Sequence, residues 1–245
     1  MRLKKRYGQH LLVSPGVAKK ILDVAELNEG DVVVEIGPGT GSLTKEILKT
    51  SVKEIHCIEI DPDMIKELKK LEDKRLKIYH ADASEFNYCK IGKQIKILGN
   101  LPYNMATLII ERTVFCHNCI NLAVFMVQKE VAEKLIEGTS WLGCFLKTFF
   151  QITYVMTVPP RFFLPPPKVQ SAVIKLVRKE EKLNIDLKTY KAFLTKLFSF
   201  KRKTLRNKFP EDILKKAFID PSKRVEELSL EEIQRLFFAY QLKEL

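Results

Sequence analysis

A doubly wound α/β domain followed by a small all-helical lobe is the architecture the sequence predicts. Three observations predict it. Short apolar runs end one after another in glycine-rich or polar residues, at Gly37, Glu59, Asp82 and Asn100. Helical patterns separate most of these runs, and alternating strands and helices wind a mostly parallel sheet with right-handed crossovers. From about residue 183 the β-like runs stop and only helical spacing remains.

Each element has its own warrant. Ser14 and Pro15 open the first helix as N-cap and first helical residue, and Val17, Ile21, Val24 and Ala25 follow at helical spacing. "DVVVEIG" (31–37) is a continuous apolar run, the pattern of a strand buried on both faces of a parallel sheet. It ends in "GPGTG" and opens into the helix "SLTKEILKT", with Leu43, Ile47 and Leu48 inward. "EIHCIEID" is a second strand, and Asp61-Pro62 caps a helix with Met64, Ile65, Leu68 and Leu71 on its apolar side. "KIYHAD", "IKILGN" and "NLAVFMVQ" read as the third, fourth and fifth strands. After "EKLIEG" two longer β-like runs, "FQITYVMTV" and "SAVIKLV", flank the proline-rich "PPRFFLPPPKVQ". Leu187, Tyr190, Phe193, Leu194, Leu197 and Phe198 form the stripe of a further helix, and "LSLEEIQRLFFAYQL" forms the last. The division falls in the stretch 178–184: a main domain over 1–180, with 1–13 as a basic arm, and a helical lobe over 181–245.

At 46% hydrophobic and 29% charged over 245 residues, the composition is that of an ordinary globular protein. The apolar run "LAVFMV" falls far short of the ~18 residues that span a bilayer. The N-terminus is basic but lacks the apolar core of a secretory signal. Five cysteines at irregular spacing predict reduced thiols and a cytoplasmic protein. "CHNC" (116–119) has zinc-like spacing but no second Cys/His pair, so no metal site is expected. His56 and His80 lie within strands and read as satisfied side chains rather than catalytic bases. Nothing calls for an obligate oligomer, and a monomer is expected.

The charge points to a partner. The chain carries a net +12, and residues 178–245 hold 17 Lys/Arg against 11 Asp/Glu. Within them "KLFSFKRKTLRNK" has six basic residues and no acid, and Arg2, Lys4, Lys5 and Arg6 form a second cluster. Two dense clusters on a basic chain suit a phosphate backbone.

Ligands of such sheets sit beyond the carboxyl ends of the strands. There Gly37, Gly39 and Gly41 allow a tight turn and close approach of backbone to ligand. Glu59, 22 residues after Gly37, is placed to accept from both ribose hydroxyls, and Asp82 from an adenine amino group. A nicotinamide cofactor is the rival. It expects G-x-G-x-x-G where this chain has G-x-G-x-G, and it does not require Asp82 or the "NLPY" that ends the fourth strand. S-adenosylmethionine is the better match.

"NLPY" then has a chemical use. The exocyclic amine of adenine is a poor nucleophile because its lone pair is delocalised into the ring. The Asn100 side-chain oxygen and the Leu101 carbonyl can accept its two N–H groups and favour a pyramidal nitrogen. Pro102 fixes the backbone, and Tyr103 offers a flat face to the base. Alignment and dipoles carry the rate, and the base must be unstacked to arrive.

At these residues the chain resembles the ribosomal RNA adenine-N6 dimethyltransferases, and more narrowly their small-subunit branch. "KKRYGQHLL", "VEIGPGTGSLT", "EIDPDM", "GNLPYNMAT", "FMVQKEVAEKL", "VPPRFFLPPPKVQSAV" and "FSFKRKTLRN" carry the resemblance in order over nearly the whole chain. It implies an S-adenosylmethionine-dependent enzyme that dimethylates two adjacent adenines near the 3′ end of small-subunit RNA, in an assembling particle. It implies a cofactor site of Gln9, His10, Leu12, Gly37, Gly39, Gly41, Glu59, Ile60, Asp82, Ala83 and Asn100, with S-adenosylhomocysteine as product. Phe163 would stack on the target base opposite Tyr103. Arg2, Lys4, Lys5, Arg6, Lys201, Arg202, Lys203 and Arg206 would bind RNA. The family usually reads "GQNFL" where this chain has "GQHLL", so His10 stands in place of an asparagine. A large-subunit dimethyltransferase, an assembly factor acting by binding, and a DNA adenine methyltransferase are the alternatives.

Overall fold

A computed structural model of the chain describes residues 10–180, 183–199 and 203–244. Five strands are parallel: β2 (Val32–Ile36), β3 (Glu54–Glu59), β4 (Leu76–His80), β5 (Ile95–Asn100) and β6 (Ile120–Gln128). A short β1 (Leu11–Leu12) precedes them. β7 (Phe150–Val158) and β9 (Ser171–Arg178) complete a seven-stranded sheet of order β4-β3-β2-β5-β6-β9-β7. β9 runs antiparallel to β6, and β7 antiparallel to β9. The β character of both late runs is as expected. Their addition to the same sheet by antiparallel pairing has no counterpart in the sequence pattern.

The helix starts obey local chemistry. The Ser14 hydroxyl accepts from Val17 N–H at 3.3 Å, and Pro15 takes the first position of α1 (Pro15–Ala25). Asp61 caps α3 (Pro62–Lys69) by accepting from Asp63 N–H at 3.0 Å. Alternate residues of each central strand then feed two apolar layers. Val33, Ile55, Leu98 and Val124 pack with α1 and with Leu43 and Ile47 of α2 (Ser42–Leu48). Val34, Ile36, Ile58 and Ile97 face the other way, toward α4 (Ala106–Phe115) and, after α5 (Lys129–Glu137) in the chain, α6 (Trp141–Phe149).

The second layer runs on into the C-terminal helices. Tyr190 of α7 (Leu187–Phe198) stands 6.1 Å from the Phe145 ring of α6 and 4.8 Å from Phe237 of the terminal helix Leu230–Glu244. Its hydroxyl shares a hydrogen bond with Thr148 Oγ1 at 3.2 Å. A division at 180/181 falls in the connection between β9 and α7, yet one apolar cluster spans it.

The thiols depart from expectation. Cys89 and Cys119 are joined in a disulfide, while Cys57, Cys116 and Cys144 are free and buried. The partners are 30 residues apart in sequence, and the fold brings their Cα atoms to 5.4 Å. Cys89 lies in a 3₁₀ turn (Tyr88–Lys90) and Cys119 just before β6, a proximity created by packing and invisible in linear spacing. Among the described residues, no helix is long and apolar enough to cross a membrane.

Candidate active site

Because β4, β3, β2 and β5 are parallel and adjacent, the residues just beyond their carboxyl ends share one rim. A cavity of about 290 Å³ opens there. Gly37 and Gly39 line it from the loop after β2, Glu59 and Ile60 from β3, and Asp82 and Ala83 from beyond β4. Asn100, Leu101, Pro102 and Tyr103 line it from the end of β5, and His10 from the N-terminal arm.

The glycine loop is held in a shape that side chains resist. Gly37 and Gly39 have φ of 62° and 56°, in the left-handed region. A Cβ on Gly39 would lie 2.7 Å from Leu11 Cδ2, so the arm closes directly on the loop. That arm is fixed by β1 pairing with β8 (Phe163–Leu164), with Leu12 opposite Phe163.

Glu59 is buried, and its carboxylate accepts three backbone N–H groups: Gly39 at 3.1 Å, Ile60 at 2.9 Å and Asp61 at 2.9 Å. Burial still raises its pKa, with these three bonds opposing the shift. One oxygen of Asp82 accepts from both the amide and the hydroxyl of Ser84, at 2.8 and 2.7 Å. The Tyr88 hydroxyl donates to the Ala83 carbonyl at 2.6 Å and braces the same wall.

Around "NLPY" the donors and acceptors sort themselves. Asn100 Nδ2 donates to the His10 carbonyl at 2.7 Å, which leaves its Oδ1 as an acceptor. Leu101 N–H is used by the Met126 carbonyl, and the Pro102 carbonyl by Met105 N–H. The Leu101 carbonyl accepts no hydrogen bond among the described residues. The Tyr103 hydroxyl meets Ser171 Oγ at 2.6 Å, and burial raises its pKa despite that bond. The His10 ring lies 5.3 Å from the Tyr103 ring, and His10 Nδ1 donates to the Pro165 carbonyl at 2.8 Å. A carbonyl only accepts, so the proton of a neutral His10 is on Nδ1.

Three expected residues are elsewhere. Leu12 and Phe163 are 4% and 3% exposed and pack in the apolar layer with Val17, Ile21 and Leu43. Phe163 therefore does not face Tyr103 across the cavity in this structure. Gly41 serves as the N-cap of α2 with φ 79°. Gln9, Arg2, Lys4, Lys5, Arg6, Lys201 and Arg202 lie outside the described residues. Lys203 and Arg206 are exposed on the helical lobe. Lys203 shares a hollow with Lys196, Asn207 and Lys208, whereas Arg206 borders a different one with Glu211 and Asp220. Burial and, after it, the Lys203 charge hold the Lys208 pKa below the usual lysine range.

Other residues of the site went unread in the sequence. Ile36, Ile58 and Ala81 line the cavity one position before Gly37, Glu59 and Asp82, and their place beside each strand-end polar residue was the available signal. Met105 and Ile109, one helical turn apart, supply its apolar wall. Glu35 is fully enclosed, accepts from Thr44 Oγ1 at 2.7 Å, and has its pKa raised by burial to about 7.

The cavity fits S-adenosylmethionine by its own chemistry. A backbone cradle without side chains, two carboxylates set to receive hydroxyl and amine donors, and apolar flanks are joined at the rim to a pair of carbonyl acceptors.

Comparison with known proteins agrees. A family model described as "Ribosomal RNA adenine dimethylase" matches residues 1–242. A protein of Persephonella marina named "Ribosomal RNA small subunit methyltransferase A" is 48% identical, covering 96% of this chain and 93% of its own. One of the same name from Sulfurihydrogenibium is 44% identical, over 96% and 95%. Among solved structures, a dimethyladenosine transferase from Plasmodium falciparum superposes with a TM-score of 0.85 at 29% identity, covering 96% of this chain and 99% of that one. The 23S rRNA methyltransferase ErmE gives 0.74 at 25% identity, covering 94% and 99%. With a family model matched nearly end to end, and the glycine cradle, paired carboxylates and "NLPY" acceptors gathered at one rim, the chain belongs to the ribosomal RNA adenine dimethylase family.

Proposed function

We propose that this chain dimethylates N6 of adenine in small-subunit ribosomal RNA, with two adjacent adenines near the 3′ end of that RNA as its targets. The enzyme is an S-adenosylmethionine-dependent rRNA adenine dimethyltransferase. One observation carries the assignment of roles. Asn100 Nδ2 is committed to the arm, and this leaves Asn100 Oδ1 and the Leu101 carbonyl as two acceptors on the rim of the cavity.

The residues divide the work. Glu59 and Asp82 receive the hydroxyl and amine donors of the cofactor, and the loop at Gly37 and Gly39 lets its backbone approach. His10, Ile60 and Ala83 shape the same pocket. When bound, the cofactor supplies a methyl group already activated on a positively charged sulfur. Asn100 Oδ1 and the Leu101 carbonyl hold the two amine protons of the target adenine and direct its lone pair away from the ring. Neither group titrates near neutral pH, so they orient these protons without taking them, and the proton that the amine loses on gaining a methyl group passes to solvent. Pro102 restricts the backbone that aims the Leu101 carbonyl. Tyr103, fixed by Ser171, presents its ring to the base. Phe163 joins as a second ring only if β1 and β8 separate on RNA binding.

The substrate is the RNA within a partly assembled small subunit, engaged as a monomer in the cytoplasm. The basic arm and the lysines of the helical lobe grip its backbone. The two named relatives, each a small-subunit methyltransferase, support that branch. Tritiated S-adenosylmethionine, offered with unmodified small subunits, naked small-subunit RNA and large-subunit RNA, tests the proposal. Label appearing as N6,N6-dimethyladenosine in the small-subunit particle is expected. Label in large-subunit RNA alone would assign the chain to the other branch.

A further inference from the structure

The disulfide that stands where free thiols were expected is placed to act on the cofactor cavity. Asp82 and Ala83 line that cavity beyond β4, and they open a stretch that runs to Cys89 in the 3₁₀ turn Tyr88–Lys90. Within the stretch, the fully buried Tyr88 donates its hydroxyl to the Ala83 carbonyl at 2.6 Å. Two ties lead outward from it. Arg112 Nε of α4 donates to the Phe86 carbonyl at 2.7 Å, and the Cys89–Cys119 bond crosses to the residue before β6. Both far ends belong to structure that builds the opposite side of the cavity. Ile109 of α4 is part of its apolar wall. The Cys119 carbonyl accepts from Ile95 N–H at 2.9 Å, which docks Cys119 on β5, the strand that ends in Asn100. The bond thus ties the Asp82–Ala83 wall to the wall that faces it.

The surroundings of the bond suit both of its oxidation states. Cys119 Sγ lies 3.0 Å from the Cys116 carbonyl oxygen, and Cys89 Sγ lies 3.3 Å from Asn118 Oδ1. A disulfide sulfur has no hydrogen to give, whereas a thiol is a weak donor. Each cysteine therefore has an acceptor in place for its reduced form. Both acceptors come from "CHNC", the motif whose zinc-like spacing gathers no metal-ligand set among the described residues. Access is one-sided. Cys119 is only 3% exposed while Cys89 is half-buried, so an attacking thiolate reaches Cys89 Sγ first.

We propose that Cys89–Cys119 is a site of reversible thiol–disulfide modification, with a dithiol as its chemical partner, and that its oxidation state sets the affinity of the cofactor cavity. A thiolate of the dithiol attacks Cys89 Sγ, the Cys89–Cys119 bond breaks, and Cys119 leaves as a thiolate that takes up a proton. The second sulfur of the dithiol then displaces Cys89 from the mixed disulfide, and Cys89 is protonated in turn. Two electrons and two protons reach the protein, and the dithiol becomes a disulfide. The reduced chain keeps Tyr88 in the core and Arg112 on Phe86; it loses the covalent limit on how far the Asp82–Ala83 wall can move. The cofactor must then order that wall itself, and apparent affinity falls with the fraction of chains whose wall is in place. The inference rests on the cofactor site and on the cytoplasmic reading above, since in a thiol-rich compartment a disulfide of this kind is transient and redox-sensing.

The test begins with thiol titration of the denatured full chain, purified in air without reductant. Of its five cysteines, three are expected to react before treatment with dithiothreitol and all five after it. Five reactive thiols before treatment overturn the proposal. Calorimetry with S-adenosylhomocysteine then compares the two forms, and reduction is expected to weaken binding by about fivefold, with reoxidation restoring it. Hydrogen exchange is expected to quicken over 82–90 on reduction and to stay unchanged in β2 and β5. The double variant Cys89→Ser, Cys119→Ser is expected to bind like reduced wild type and to ignore dithiothreitol, whereas Cys144→Ser, which keeps the bond, responds as wild type does. Should the double variant not fold, wild type reduced and reoxidised carries the comparison alone. Equal affinity of oxidised and reduced wild type overturns the proposal, and so does a response to dithiothreitol that persists in the double variant. Failure of oxidised wild type to bind S-adenosylhomocysteine at all would instead remove the cofactor site and the inference with it.

Discussion

At the scale of single residues, the proposed methyl transfer rests on Asn100 and its two hydrogen-bonding ends. Asn100→Ala removes the acceptor proposed for the amine and the donor to His10, and a preorganised acceptor of this kind is worth about 10²–10³ in rate. We expect kcat to fall by that factor while RNA binding persists; single-turnover methylation beside a filter-binding assay checks both. Glu35 makes a separate prediction. Burial raises its pKa from 4.5 to about 7. The folded state thus binds this proton more tightly than the unfolded chain does. The stability it contributes is full below about pH 4.5 and is lost as pH rises through about 7. The loss amounts to about 3 kcal/mol. Glu35→Gln keeps the bond from Thr44 and cannot ionise. Denaturant unfolding at about pH 5 and about pH 8 should therefore show the variant gaining about 3 kcal/mol on wild type at the higher pH. Parallel pH profiles would refute it. Glu59, raised in the same direction, keeps its slope in both proteins.

At the scale of elements, caps and strand ends were the parts most legible in the sequence. Ser14-Pro15 and Asp61-Pro62 start helices where their side chains have N–H groups to accept from, and that chemistry is local. The strand ends at Glu59, Asp82 and Asn100 were legible because a polar residue after an apolar run has no place in a buried sheet. What stayed hidden depends on distant partners. The pairing of β9 with β6, the Cys89–Cys119 disulfide and the pairing of buried Phe163 with Leu12 of β1 all join segments with no shared local pattern. The two-residue β1 is the most consequential of these, since Leu11 sits where a Gly39 Cβ would intrude. Gly39→Ala therefore both strains a left-handed residue and pushes the arm off the loop. We expect S-adenosylhomocysteine affinity, measured by calorimetry, to drop by about tenfold or more, from a cost of roughly 1–3 kcal/mol. Leu11→Ala added to Gly39→Ala should recover part of the loss. A double variant no better than the single one would show that backbone strain alone, and not the arm, sets the affinity.

At the scale of the whole molecule, the site and the charge are kept apart in the chain and linked by the core. Among the described residues, the buried apolar side chains of the C-terminal helices are continuous with those of the sheet: Tyr190 and Phe193 belong to the cluster that also holds Ile97 and Phe125. A basic surface on that lobe is thereby fixed relative to the methylation rim. The net +12 of the chain and its two basic clusters were legible as a sign of a nucleic-acid partner, whereas the grouping of individual cations in space was not. In the fold, Lys196 of α7 and Lys208, which follows the 3₁₀ turn Leu205–Asn207, join Lys203 at one hollow, and Arg206 of that turn stands beside Glu211 and Asp220 instead. Lys196 is held by the Tyr240 hydroxyl at 2.9 Å and Lys208 by the Leu197 carbonyl at 2.9 Å, so these ammonium groups are positioned rather than free-swinging. Positioned cations displace counterions from RNA, which makes affinity fall linearly with salt on logarithmic axes. We expect binding to small-subunit RNA to show that slope, with Lys196→Ala and Lys208→Ala each reducing it by about 0.7–0.9, as loss of one phosphate contact does. Arg206→Ala, with two carboxylates as neighbours, should reduce it less. Equal reductions at all three positions would mean that the lobe acts through total charge, and that the hollow formed by Lys196, Lys203 and Lys208 has no privileged place in holding the RNA.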